Sequence, residues 1–329
     1  METVLVTAIG SFSADIVIKT LKHRGLTVIG CDIFPKQWVV DAYNVDQFVQ
    51  VPRATEGERY RDVIFDICLE NKVDYVIPLT DVEVDELNKY REWFSHHGIL
   101  LCISPEKSIN ICRSKLSTYQ SLLNAGFESA LIPTICGINA CSVEKTWFPL
   151  ICKPSNGRSS QGIRRVYNYQ ELQMFLRSES IEDYIIQPIK EGPIVTVDIV
   201  RSAAGKEIVS MPRKELLRTL NGAGTSVLVF HDSDLNNLCK DIANALNVVG
   251  CVNFEFIVTE EGKYYFVECN PRFSGGIEFS CMAGYDFVWN HLNCFTNTKL
   301  DPLEPYQDCY IARKYEEYIT EICEEKAEF

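Results

Sequence analysis

The stretch VNFEFIVTEEGKYYFVECNPR, residues 252–272, decides the fold. Polar and apolar residues alternate through VNFEFIVT and again through KYYFVECN, with EEGK between them, so the segment reads as a β-hairpin. An even-numbered turn sets Glu255 opposite Glu268 and Asn253 opposite Asn270, all four on one face. Like charges directly opposed on a sheet are destabilising. A cation between them reverses the sign, and hard oxygen ligands at this spacing suit Mg²⁺ rather than a soft metal. The alternative is a pair of carboxylates turned to water, where the repulsion is screened and small. An odd-numbered turn breaks the pairing.

Two further segments carry chemistry. In LICKPSNGRSSQGIRR (150–165), Lys153 ends a strand and a polar stretch with Gly157 and Gly162 follows. Backbone amides of such a loop can cradle phosphate oxygens, with the lysine as a point charge. No GK[ST] follows, so it is not a Walker A sequence. A surface loop with one snorkelling lysine is the plainer reading. In ECNPRFSGG (268–276), Pro271 stops the sheet and Arg272 emerges beside the paired acids. There it either binds an anion that the metal also binds or neutralises Glu268.

Outward from these segments, ETVLVT (2–7), a helical stretch with Ile16, Val17 and Leu21 on its apolar side, Gly25, and LTVIGCDI (26–33) make a βαβ unit. A helix near 57–71, a strand at 73–79, a helix near 82–97 and a strand at 99–104 continue it, so a parallel sheet is predicted to about residue 105. Dinucleotide binding is not predicted: Asp32 stands where a ribose-binding acid would, but Gly10 is alone where GxGxxG needs three glycines. Ser114 caps a helix over 114–126 with Leu116, Leu122 and Leu123 as its apolar side. Strands and glycine loops follow, interrupted by one helix with apolar positions 235, 238, 242 and 246. The tail ITEICEEKAEF reads as a solvated final helix or frayed end.

Among 329 residues, 46% are hydrophobic and the formal net charge is −13. An acidic surface repels phosphate backbones and anionic lipids, which sets nucleic-acid and membrane partners aside. Basic residues clustered around 153–165 and 211–218 therefore call for a local explanation. The 14 cysteines show no CxxC spacing and the five histidines no HxxxH, so free buried thiols are expected and zinc is not. No stretch approaches the roughly 20 apolar residues of a membrane span, and METVLVTAIGSF lacks a signal peptide's basic region. The expected location is the cytoplasm.

Taken in order along the chain, Lys153 with its loop and Glu255…Glu268-Cys269-Asn270-Pro271-Arg272 resemble the ATP-grasp superfamily, in particular a single unit of the carbamoyl-phosphate synthase large chain. The resemblance implies α/β and α+β architecture: a Rossmann-like pre-ATP-grasp domain over 1–112, a small clasp subdomain with the phosphate loop over 113–188, and a large subdomain with the metal site over 189–329. It implies ATP and Mg²⁺ as cofactors, two ions of the metal, with Mn²⁺ as a substitute. Lys115 and Lys153 match the cations on the ATP phosphates, and Gly157, Ser159, Ser160 and Gly162 belong to the matching loop. Gln187, Pro188 and Ile189 match the linker framing adenine. Glu255, Glu268 and Asn270 match the metal ligands, and Arg272 the arginine facing the reacting phosphate. Arg213 and Lys214 lie where relatives place cations near the phosphates. One departure is Ile194, which stands where many relatives carry a ribose-binding glutamate; an aliphatic chain cannot accept those hydrogen bonds, leaving Glu191 as a candidate.

The function so implied is a carboxylate–amine or carboxylate–thiol ligase acting through an acyl phosphate, with small-molecule substrates and a homodimeric assembly. The acid is expected near Gly10–Ser13 and Thr80–Glu83, where Asp81 and Glu83 either cap a helix or touch substrate. Rival readings are a carbamoyl-phosphate-forming half-enzyme using bicarbonate, a nucleotide-binding regulator without catalysis, and a nicotinamide oxidoreductase.

Overall fold

The structure is a computed structural model, and it describes residues 2–157, 161–178, 181–220 and 222–322. Near the amino terminus the two apolar runs become β1 (Thr3–Val6) and β2 (Thr27–Asp32), joined by α1 (Ala14–His23). Then come β3 (Gln47–Gln50), α2 (Glu58–Glu70), β4 (Tyr75–Ile77), α3 (Asp81–Asn88), α4 (Arg91–His96) and β5 (Leu100–Leu101). The five strands form a parallel sheet in the order β3-β2-β1-β4-β5. β1 is buried along its whole length, as a central strand covered on both faces must be. The single helix expected over 82–97 is two, broken at Tyr90, whose ring lies against the Arg61 guanidinium.

The chain leaves β1 toward β2 on one side, and β4 lies on the other. The loops after β1 and β4 therefore open side by side at the carboxyl ends of the strands. Asp32 accepts from the backbone N–H groups of Gly10 and Phe34 at 2.8 and 3.0 Å. It thus ties down its own loops.

α5 (Glu106–Arg113) and α6 (Lys115–Asn124) lead away from this sheet. Ser114 caps α6 as expected, accepting from the Ser117 N–H. Its apolar side differs from the expectation: Leu122 and Thr118 are buried, whereas Leu123 is 37% exposed. A small antiparallel sheet follows from β6 (Ile135–Cys136), β7 (Leu150–Pro154), β8 (Arg164–Val166) and, after α7 (Tyr169–Ser178), β9 (Tyr184–Pro188). Its order is β6-β9-β7-β8.

The larger sheet contains β10 (Ile194–Arg201), β11 (Ile208–Arg218) and β12 (Gly224–Val229). After α8 (Ser233–Leu246) come β13 (Gly250–Val258), β14 (Tyr264–Asn270), α9 (Ile277–Met282), α10 (Phe287–Asn293) and β15 (Cys309–Ala312). Its order is β14-β13-β10-β11-β12-β15. α8 buries Leu235, Cys239, Ile242 and Leu246 against this sheet, close to the predicted stripe. One apolar core runs from Val4, Val6 and Val17 through Ile277, Phe287 and Leu292 to Val200 and Met211, so the first and largest sheets are packed together. The carboxyl-terminal strand β15 was not foreseen. Residues 313–322 carry no helix, which was one of the two readings of the tail; residues 323–329 lie outside the described residues. Instead Thr320 Oγ1 donates to the Gln37 carbonyl on the first domain. No described helix is long and apolar enough to cross a membrane, and every cysteine whose side chain is described is a free thiol.

Candidate active site

The hairpin meets the expected pairing by an unexpected route. Val258 pairs with Tyr264 and Phe256 with Phe266, so the turn is odd-numbered. Val267 is then an extra residue on β14, a bulge that shifts the ladder by one. Beyond it Glu255 faces Glu268 and Asn253 faces Asn270. The bulge, not the turn, restores the acids to one face. The row continues across the sheet: Thr196 lies opposite both Glu255 and Arg213.

These residues floor a cleft of ≈ 330 Å³, within the range of small-ligand sites. The small sheet supplies Lys153, Pro154, Gly157 and Gln161 as its upper lip, and Asp81, Arg113 and Arg272 close the side toward the first sheet. Glu255 and Glu268 are 20% and 28% exposed, so each carboxylate opens into the cleft. Arg218 Nη2 lies 3.4 Å from Glu255, and Lys115 Nζ lies 3.2 Å from Glu268. Burial and the facing Glu268 push the Glu255 carboxyl above the ordinary carboxylate range, with Arg218 opposing. For Glu268, burial acts upward, but Lys115, the Asn270 amide and Lys153 outweigh it and hold the group low.

Lys153 is 8% exposed. Burial, then the neighbouring Lys115 charge, bring its ammonium down to about 8, against the pull of Glu268 and Glu255. Lys115 also donates to the Gly157 carbonyl at 2.8 Å, fastening the start of the loop. Gly162 takes a positive φ of 72° beside Pro154, a conformation that favours glycine. Ser159 and Ser160, predicted members of the phosphate loop, lie outside the described residues.

At the other end Arg272 Nη2 donates to Asp81 at 2.8 Å, and Arg113 reaches Asp81 and Asp85 at 3.4 and 3.0 Å. Asp81 thus joins α3 to the hairpin. Glu83 closes a capping box with Thr80 and accepts from Tyr60, which makes it a helix cap. Truncation by Arg272→Ala is expected to lower the unfolding free energy by about 1–3 kcal/mol in urea, because it strips a half-buried carboxylate of one partner. Parent-like stability would show that this pair does not bind the two domains.

Arg213 lines the cleft, and several other predicted residues lie outside it. Arg213 is on the floor but only 1% exposed: it pairs with Asp198 and Glu215 and donates to Ser274 and Ser280. It braces the floor and is not a mobile cation. Lys214, the next residue on β11, points to the opposite face and does not line the cleft. Gln187, Pro188 and Ile189 also lie outside the lining; the Gln187 amide is turned to Thr134 at 2.8 Å, and the Ile189 N–H bonds to the Pro149 carbonyl. Glu191 is exposed. Arg113, Arg218, Thr196, Asp198 and Glu215 were missed. The signal for three of them was period two: Thr196 and Asp198 in an apolar strand, and Glu215 two residues from Arg213.

No group of three or more His, Cys, Asp or Glu is placed to hold a metal among the described residues. The donor set that is present, two opposed carboxylates and the Asn270 amide, nevertheless fits Mg²⁺. That ion commonly takes one or two carboxylates and completes its shell with water and substrate phosphates.

Two family comparisons divide the chain. Residues 4–102 match the family described as PylC-like, N-terminal domain. Residues 180–316 match the one described as ATP-grasp in the biosynthetic pathway with Ter operon. Among curated proteins, the carbamoyl phosphate synthase large chain of Saccharolobus solfataricus is 25% identical over 239 residues, 67% of this chain. The arginine-specific chloroplastic large chain of Oryza sativa is 23% identical over 153 residues, 41% of this chain. The matched segments span only 22% and 13% of those relatives' lengths. Among solved structures, biotin carboxylase with β,γ-ATP from Campylobacter jejuni superimposes with a TM-score of 0.78 at 17% identity, over 91% of this chain and 72% of that one. N5-carboxyaminoimidazole synthetase from Staphylococcus aureus gives 0.72 at 15%, over 91% and 78%. The fold is thus shared with these ATP-grasp structures. More particularly, residues 4–102 are similar to a PylC-like amino-terminal domain and residues 180–316 to an ATP-grasp domain, and the chain resembles a unit of the carbamoyl-phosphate synthase large chain.

Proposed function

We propose that the chain is an ATP-dependent carboxylate ligase that joins a small acid to an amine, or to a thiol, with release of ADP and phosphate. The observation that carries this reading is Glu255 opposite Glu268 on the floor of a cleft whose lip holds Lys115 and Lys153. Like charges held together, under two cations, suit a polyphosphate bound with a divalent ion. Glu255, Glu268 and Asn270 would hold Mg²⁺, two ions in the full complex and replaceable by Mn²⁺, and the metal would supply neutralisation of phosphate charge.

The chain's own residues do the positioning. Lys153 and Lys115 hold phosphate oxygens from above, while Arg272, fixed by Asp81, faces the reacting end. A carboxylate oxygen of the acid bonds to the γ-phosphorus, and the bond to the bridging oxygen breaks as ADP leaves. The amine then bonds to the acyl carbon, and phosphate leaves with the electron pair of the broken C–O bond. The acid enters beside the loops at 10–13 and 80–83, at the open strand ends of the first sheet. The units 1–112, 113–188 and 189–329 act as substrate base, lid and floor, in a cytoplasmic homodimer.

The test is nucleotide chromatography after incubation with Mg²⁺, ATP and a panel of amino acids, hydroxy acids and bicarbonate. ADP and phosphate formed only with one acid are expected; bicarbonate as that acid would select the carbamoyl-phosphate-like variant. AMP and pyrophosphate would overturn the acyl-phosphate route. ATP binding without turnover on any acid would favour the regulator, and no binding at all would withdraw the reading.

A further inference from the structure

Glu215 is a buried carboxylate that the reaction above does not use. Its side chain is 3% exposed yet lines the cleft, and its Oε2 has no hydrogen-bond partner among the described residues. Arg213 Nε, 3.4 Å from Oε1, serves the other oxygen. Gly224 packs so closely that a Cβ there would meet Oε2 at 2.1 Å, so the β11–β12 connection leaves this oxygen its place only because residue 224 is glycine. A buried acceptor without a donor costs free energy unless a ligand brings one. The site is built to receive an O–H or N–H.

Its position in the sheet says which. The row Glu268, Glu255, Thr196, Arg213 crosses the floor under the phosphates. The row Asn270, Asn253, Asp198 lies on the side of Arg272 and the first sheet, where the acid enters. Glu215 lies on the other side. Val195 pairs with Lys214, and the next step of that ladder sets Ile194 opposite Glu215, with Ile257 beyond. This row is two residues, or about 7 Å, from the metal row, and it faces away from the acid. A nucleotide whose phosphates lie over Glu255 and Glu268 puts its sugar one row over, before its base. Ile194 and Ile257 in that row are aliphatic and compete for no hydroxyl.

Resting on the ATP reading given above, we propose that Glu215 Oε2 accepts a hydrogen bond from a sugar hydroxyl of the bound nucleotide. Isothermal titration with Mg²⁺ and ATP, 2′-deoxyATP or 3′-deoxyATP, without any acid, tests it. The parent is expected to bind one deoxynucleotide about tenfold more weakly than ATP. Glu215→Ala is expected to bind ATP weakly by the same factor and to lose the discrimination. Glu215→Gln, whose carbonyl still accepts, is expected to keep part of it and guards against misfolding. A parent that binds all three alike overturns the sugar contact and leaves the ligase reading standing, as does a Glu215→Ala protein that still discriminates. A parent that binds none of them overturns both.

Discussion

Glu268→Ala is expected to reduce acid-dependent ADP formation by at least about 10²–10³-fold, the scale of losing a preorganised electrostatic contact. Glu268 is held ionised by Lys115, Asn270 and Lys153, so at neutral pH it presents a charged oxygen to the cleft. Removing it leaves Glu255 with Arg218 but without the opposing oxygen that makes the pair a cation site. The control is stability, for which Glu255→Gln is the informative partner. Burial and Glu268 raise the folded-state Glu255 carboxyl above its unfolded value. The folded chain therefore binds more protons than the unfolded chain between those two values, and stability from this group falls as pH rises through them. Metal-free Glu255→Gln protein should lose that fall, gaining melting temperature over the parent at about pH 8 relative to about pH 5. Full turnover by Glu268→Ala, or a Glu255→Gln protein less stable than the parent at the higher pH, would sink the metal assignment.

The hairpin shows how a sequence can be read to the right residues for an incomplete reason. Alternation marked both strands and set Glu255, Glu268, Asn253 and Asn270 on one face, and the structure pairs them so. The even turn assumed for that pairing is odd; Val267 corrects it, and a bulge leaves no mark in a period-two pattern because only one residue is added. The parallel sheet at the amino terminus was legible for a similar reason: β1 and β2 each hold a buried, mainly apolar run, Val4–Val6 and Val28–Cys31, as doubly covered strands do.

What escaped the sequence was partnership across long separations. Arg272 was foreseen at the hairpin's end, yet nothing near it announces Asp81, 191 residues away. Arg213 was placed near the phosphates by resemblance alone, and its partners Asp198, Ser274 and Ser280 come to it only in the folded sheet. Lys214 was grouped with Arg213 by adjacency, although neighbours on a strand face opposite ways. Composition shows that basic clusters in an acidic chain need a local explanation, but only the fold supplies it by assigning Arg218 to Glu255 and Lys115 to Glu268.

Lys153→Met is expected to be at least as damaging to turnover, about 10²–10³-fold, while leaving the protein as stable as the parent or more so. The lysine is buried beside Lys115, and its ammonium titrates at about 8 instead of 10.5. A base with a lowered folded value is bound to fewer protons in the folded chain than in the unfolded one between those two values. The parent should therefore gain stability as pH rises from about 8 toward 10.5, and Lys153→Met should not. Polyphosphate in the cleft reverses the balance by favouring the charged lysine. Binding of Mg²⁺ and ATP at about pH 8 should then draw in a proton, roughly half of one if the lysine is half neutral when the cleft is empty. Titration calorimetry in two buffers of different ionisation enthalpy reads that uptake directly. The parent should show it and Lys153→Met should not. An identical uptake in both would place the titrating group elsewhere, and undiminished turnover in Lys153→Met would remove this lysine from the phosphate site and leave it only the holding of Glu268 in its charged form.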